Sequence, residues 1–412
     1  MPSRVGLVVV LLGLAAGSAE AAGWSLKFDR RPRLRYGKLF QADFRVKMQA
    51  DFMTVTEDPE ADRDLFDFRR RRIGVEGEFL RHFDYELEYD FAEDDHPLRD
   101  AFVNFRRFRR FQVQGGKFKI PFGRDQLTRP TALDFVFRSY LGRQVAPARE
   151  VGLMLHGPVV RGALRYQFGA FRHDGENSYA AGNIPGGGTT WAARLRAEPA
   201  DLLSLPKLLR NMEIAAAATW GNLPEGRSSL RGRTAFGETF FPRAFVRGKR
   251  LRWGTDLNWS PGPFSLQAEY MRSRDQRLGQ SLRQRDLPDL VARGWYLSGT
   301  WVVTGEKKAG GVTPRKAFPW EGGVGAFELG VRHEFLRFGA TGATGVVSTS
   351  PRATNPLPTS DRNCTFGVNW YLNRYARIQG NLIREMVESQ YLDPGSPRQK
   401  FWTRVLRLQF VM

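Results

Sequence analysis

The residues with the most chemistry to offer are the cations. The 412-residue chain carries 52 arginines and 11 lysines against 43 acidic residues, a formal net charge of +20. Four arginines, Arg124, Arg129, Arg138 and Arg143, fall in one connection, residues 120–149. Pro121, Gly123, Pro130 and Pro147 bend that connection, and Leu133, Phe135, Val136 and Phe137 give it apolar surface that needs a wall to pack on. A guanidinium stays ionised at physiological pH and grips an oxyanion through paired, charge-assisted hydrogen bonds. A second set, Arg45, Lys47, Arg165, Arg194 and Arg196, alternates with apolar residues along extended runs. The predicted chemistry is reversible anion binding. The chain has no HExxH, GxSxG or P-loop pattern, and its five histidines do not fall at metal-ligand spacing, so no catalytic site, metal or cofactor is expected. His156 reads as a structural imidazole, and Glu93-Asp94-Asp95 as a solvated turn.

The elements that must hold these cations are strands. From Phe40 to Phe52 the set Phe40, Ala42, Phe44, Val46, Met48, Ala50 and Phe52 interleaves with Gln41, Asp43, Arg45, Lys47, Gln49 and Asp51 without a change of phase. The same alternation recurs around Tyr85–Phe91, Leu164–Phe168, Leu251–Trp259 and Phe327–Val331, and the polar face is too charged for a protein core. Sixteen such strands fit between 38 and 412. Long connections (53–67, 120–149, 173–187, 222–245, 275–291, 338–361 and 389–399) alternate with tight turns, apart from two longer turns at 199–210 and 307–322. The prediction is an all-β, sixteen-stranded antiparallel transmembrane β-barrel, apolar face to lipid and polar face to water, with the 120–149 connection folded inward.

The longest apolar run, Val5 to Ala16, is too short to span a bilayer as a helix. Preceded by Arg4 and followed by Ala19-Glu20-Ala21, it reads as the core of a signal peptide over 1–21. Residues 22–37 would then form a periplasmic segment and 38–412 the barrel. The single cysteine, Cys364, leaves no intrachain disulfide, so the sheet itself must hold the exported chain together. A nucleic-acid partner would account for the charge but not for the leader or the strands.

Several stretches resemble the phosphate-selective porin O and P family. They are Arg69-Arg70-Arg71-Arg72-Ile73-Gly74-Val75-Glu76-Gly77, Leu98-Arg99-Asp100-Ala101-Phe102-Val103, Gly116-Lys117-Phe118-Lys119-Ile120-Pro121-Phe122-Gly123, Arg149-Glu150-Val151-Gly152, Trp301-Val302-Val303-Thr304-Gly305-Glu306 and Asn369-Trp370-Tyr371-Leu372-Asn373. The resemblance implies a homotrimer in the outer membrane of a Gram-negative bacterium, among outer-membrane lipid and lipopolysaccharide, passing phosphate or other small anions by passive diffusion. It also implies a constriction in the third outer loop, which maps onto 120–149, and a lysine there. Between Ile120 and Glu150 this chain has arginines and no lysine. Arg124, Arg129, Arg138 and Arg143 are expected to bind the anion, with Arg45, Lys47, Arg165, Arg194 and Arg196 as the supporting field. The alternative is a general or organic-anion porin built on the same barrel.

Overall fold

The computed structural model describes residues 23–57, 60–176, 188–203, 206–341, 350 and 352–412. Sixteen antiparallel strands form the wall. The first eight are β1 (Phe40–Glu57), β2 (Glu60–Phe79), β3 (Phe83–Asp90), β4 (Leu98–Phe108), β5 (Phe111–Lys119), β6 (Arg149–Pro158), β7 (Leu164–Phe171) and β8 (Thr190–Ala197). They are followed by β9 (Met212–Arg227), β10 (Phe245–Trp259), β11 (Phe264–Arg277), β12 (Leu287–Val302), β13 (Ala326–Ala340), β14 (Thr359–Tyr371), β15 (Ala376–Glu388) and β16 (Arg398–Val411). Each pairs with the next, and β16 returns to β1 with Leu408 opposite Ala50 and Val411 opposite Lys47. Val46 and Met412 exchange both backbone hydrogen bonds, at 3.0 and 2.9 Å, so the cylinder closes with no free edge at this seam.

Alternation sets the two faces. On β1, Phe44, Met48 and Phe52 are exposed on the outside, while Asp43, Arg45, Lys47, Gln49 and Asp51 are buried inside. Aromatic residues gather toward the strand ends on the outer surface: Phe264, Trp301, Phe327 and Trp370 at the short-turn rim, and Tyr270, Trp295 and Phe335 toward the long-loop rim. This is the arrangement of interfacial girdles in membrane barrels.

Three connections depart from the sequence expectation. Residues 53–67 are mostly strand: β1 continues to Glu57 and β2 begins at Glu60, because Met53 and Val55 keep the inward phase and Thr54 keeps the outward one. The segment 22–37 is not a simple tail. Trp24–Asp29 and Arg31–Tyr36 form a hairpin whose second strand pairs with the start of β1, Arg33 opposite Asp43, and covers the edge that β16 leaves bare below Lys47. Arg31 and Arg33 both bind the Asp43 carboxylate, at 2.9 and 2.6 Å. In the long turn between β8 and β9, Pro199–Leu203 forms a short helix. The expected leader, 1–21, lies outside the described residues.

Candidate functional site: cations around the inner segment

The segment joining β5 to β6 runs through the interior instead of over the rim. Ile120 and Phe122 are fully buried at its start, and a one-turn helix, Arg124–Leu127, follows. The wall then captures its backbone point by point. Glu269 on β11 accepts from the Arg124 N–H at 2.7 Å, Asn381 on β15 from the Val136 N–H at 2.7 Å, and Glu334 on β13 from the Tyr140 N–H at 2.6 Å. In return, Asn369 donates to the Asp134 carbonyl at 2.9 Å, Arg407 to that of Val136 at 2.6 Å, and Arg332 to that of Phe137 at 3.0 Å. The Phe135 ring lies against Gly330 and Gly367, where a Cβ would meet it at 3.2 and 3.1 Å. Shape as well as hydrogen bonding therefore holds the segment on the β13–β16 side, and a side chain at either glycine would push it inward.

The nine cations expected to act together separate into distinct settings. Arg45 reaches Glu76 and Glu86, both at 2.5 Å, and Lys47 binds Glu88, which also accepts from Arg72 at 3.0 Å. Arg194 is paired with Asp256 at 2.7 Å. Arg124 and Arg196 share Glu213, at 2.6 and 2.8 Å. Arg129 is well exposed and 3.6 Å from Glu76. Arg143 stacks over Phe137 and Tyr140, its guanidinium carbon 5.4 and 5.2 Å from the ring centres. Arg124, Arg165, Arg194 and Arg196 line one cavity of about 560 Å³ on the short-turn side, into which His156 also faces. The imidazole of His156 contacts the Asn104 side chain at 2.9 Å.

Arg138 stands apart. It donates only to carbonyls, those of Asp125 and of Thr128, the latter at 2.7 Å. The Thr128 carbonyl also accepts from the Lys119 ammonium at 2.9 Å, and Leu127 gives Lys119 a second carbonyl at 3.0 Å. Among the described residues neither cation forms an ion pair. Asp125 is engaged by the Ser139 N–H at 2.9 Å, Asp134 by the Lys308 ammonium at 2.5 Å, and Asp100 by Arg149 at 3.0 and 2.8 Å. Burial pushes the Arg138 guanidinium down to about 10; Asp125 acts the other way, and the charges of Arg149, Arg72 and Arg99 add to the fall. Among the described residues, no carboxylate stands within ion-pair distance of either cation, and Asp125 acts on Arg138 only at longer range. Leu127 and Thr128, whose carbonyls hold these cations, also line the short-turn cavity.

The sequence profile of the family described as phosphate-selective porin O and P matches residues 40–411, the whole barrel. The chain belongs to that family. Porin O of Pseudomonas aeruginosa is 23% identical to this porin over 375 residues, 84% of this chain and 81% of that one. The fold is also that of the outer-membrane channel DcaP of Acinetobacter baumannii, with a TM-score of 0.56 and 9% identity over 90% of this chain and 97% of that one. The trimer form of in-vitro folded OmpT from Vibrio cholerae gives 0.53, with 10% identity over 91% and 100%. The protein is a porin of the Gram-negative outer membrane, a channel of sixteen antiparallel strands.

Two lysines that sequence reasoning passed over sit at the inner segment of this porin. Lys119 stands one residue before Ile120, within the family-like run Gly116–Gly123. Lys308 comes from the long turn between β12 and β13, and its ammonium joins Asp134 at 2.5 Å and also Glu328. Nothing local in sequence marks Lys308 as an inner-segment contact. A second connection also folds in. The β9–β10 loop forms a small hairpin, Gly232–Arg233 with Thr239–Phe241, and exchanges hydrogen bonds with Gln144 through the Arg233 backbone at 2.8 and 2.9 Å. Leu230, Phe240 and Phe241 in it are fully buried.

Proposed function

We propose that this porin passes phosphate and related small oxyanions by passive diffusion, and that Lys119 and Arg138 form its selecting point. The observation that carries the reading is their convergence on one carbonyl with no carboxylate partner. A carbonyl positions a cation without the cancelling charge that a carboxylate brings. Arg124, Arg165 and Arg196 on the short-turn side, with the exposed Arg129, supply the weaker field that gathers or releases the ion, while Arg194 is offset by Asp256. Arg143, stacked on two rings, holds the segment's shape, while Arg45 and Lys47 belong to a neutralised wall. The inner segment, 120–149, is the constriction.

In this reading the 1–21 leader is removed on export, the hairpin Trp24–Tyr36 faces the periplasm, and three copies associate among outer-membrane lipid and lipopolysaccharide. The even strand number and the alternation of short turns with long loops support that orientation, and the trimer form of OmpT supports the assembly. A general or organic-anion porin is favoured by one observation: Glu213 and Asp256 sit among the vestibule arginines and lower the local charge.

Planar-bilayer recordings separate these readings. An anion-selective reversal potential in a salt gradient is expected, with millimolar phosphate blocking chloride current. Cation selectivity would refute the anion reading altogether. Anion selectivity without phosphate block would leave only the general anion channel.

A further inference from the structure

The outer surface carries a second set of arginines that the passage does not use. On β11, β12 and β13 the rings of Tyr270, Trp295 and Phe335 stand side by side in one register row. Two residues further toward the long-loop rim, in the next outward-facing row, Arg272, Arg293 and Arg337 stand side by side in the same way. At about 3.3 Å per residue and a tilt near 45°, that row lies about 5 Å beyond the rings. Arg362 on β14 stands opposite Phe335, in the ring row itself, and Arg384 on β15 stands opposite Cys364 and Trp402, one outward row nearer the short-turn rim. Their guanidinium groups lie over Phe335 and Trp402, at 5.6 and 5.5 Å from the ring centres.

These positions face away from the pore. On each strand the intervening residues, such as Ala292, Leu336 and Ile383, are buried on the inner side, whereas Arg293, Arg337, Arg362 and Arg384 are exposed. Like charges placed directly across a strand pair repel, and here three stand in succession. The carboxylates at this rim are already committed, Asp289 to Arg274 and Glu388 to Arg398. Among the described residues, Arg272, Arg293, Arg337, Arg362 and Arg384 form no ion pair. Charged residues on a barrel's lipid face are tolerated at the interface and costly at the midplane, which fits a row just past an aromatic girdle.

We propose that this row is a binding site for the phosphate groups of an outer-leaflet glycolipid, with one phosphate bridging each adjacent pair of guanidinium groups and the acyl chains lying along the apolar strand faces below the rings. The planar fork suits paired hydrogen bonds to phosphate oxygens, and the aromatic row sets the headgroup level. The proposal rests on the outer-membrane location and not on the anion selectivity of the pore.

The test uses the full-length barrel folded in detergent micelles, titrated with bis-phosphorylated lipid A or with the same lipid after dephosphorylation, and read by native mass spectrometry. The phosphorylated lipid is expected to be retained at about tenfold lower concentration, the ratio one charge-assisted pair supplies. Arg293→Gln/Arg337→Gln should abolish that difference, and Arg293→Lys/Arg337→Lys should keep part of it. Inorganic phosphate at millimolar concentration should not displace the lipid; displacement would point to a free-anion site and overturn the lipid assignment. Equal retention of the two lipids by the unaltered barrel, or an unchanged difference in the glutamine variant, would also overturn it. Heat-modifiable mobility on gels checks that each variant folds, and the single Arg337→Gln, expected to lose about half the difference, serves if the double does not. Bilayer recordings of the glutamine variant should keep the parent's selectivity. Absence of any channel from the unaltered barrel would instead defeat the porin reading, an outcome distinct from every lipid result.

Discussion

The β1–β3 wall and the junction of β5 with the inner segment are both rich in cations, and they treat them in opposite ways. On the wall, Arg45, Lys47 and Arg72 meet Glu76, Glu86, Glu88 and Asp90, so each of these three cations has a carboxylate, while Arg70 beside them donates to Gln49. At the junction, among the described residues, Lys119 and Arg138 meet only carbonyl oxygens. A count of guanidinium groups therefore says little about the field an ion experiences; what matters is which of them lack a carboxylate. The wall's ion pairs fix the spacing of neighbouring strands, whereas the junction leaves its positive charge available to a solute.

Charge substitutions put this contrast at risk, and the largest effect belongs to the junction. Replacing Lys119 and Arg138 together by glutamine should lower the anion-to-cation permeability ratio by about tenfold or more, at about 1.4 kcal/mol per factor of ten. Reversal potentials in asymmetric salt would measure it, and a ratio within twofold of the parent's would remove the junction from its role. A smaller effect of opposite sign is expected from Glu213→Gln, which frees Arg124 and leaves Arg196 only its 3.4 Å pairing with Glu198 in the vestibule. Anion conductance should rise about two- to threefold at low ionic strength and return to the parent value near 1 M, where the Debye length is about 3 Å. No rise in dilute salt would mean that vestibule charge does not recruit the ion. The smallest change should follow Arg194→Gln/Asp256→Asn, which removes a buried pair of opposite charges. Single-channel selectivity should stay within about twofold, because the net charge lining the passage is unaltered. A large shift there would show that paired cations contribute after all, and the distinction between wall and junction would fail.

Much of the fold was legible because alternation is a local signal. Strand bounds such as 111–119 and 150–158 agree with β5 and β6 to within a residue, and the parity of long and short connections follows from closure. Legibility failed where the phase ran on past a residue type usually read as loop, as at Thr54 and Thr56, and where edge coverage recruited the chain before β1. The site was less legible, for a physical reason. Arg45 and Glu86 are far apart in sequence and become neighbours only once two strand registers are set; Lys308 and Asp134 meet only after a loop has crossed the interior. Cations can be seen in a sequence, but their neutralisation cannot be seen until pairing is known. Lys119 ends β5 one residue ahead of the connection, and its part in the inner segment appears only when Leu127 and Thr128 fold back onto it.

The seam between the first and last strands has a bearing on assembly. Arg407 of β16 binds Asp51 of β1 through two hydrogen bonds of 2.6 Å and also donates to the Val136 carbonyl of the inner segment. One buried side chain thus joins both ends of the wall to the plug of chain inside it. Until β16 docks, the segment lacks part of its mooring, so a nascent barrel would pass solutes indiscriminately, and discrimination would arrive with the final strand.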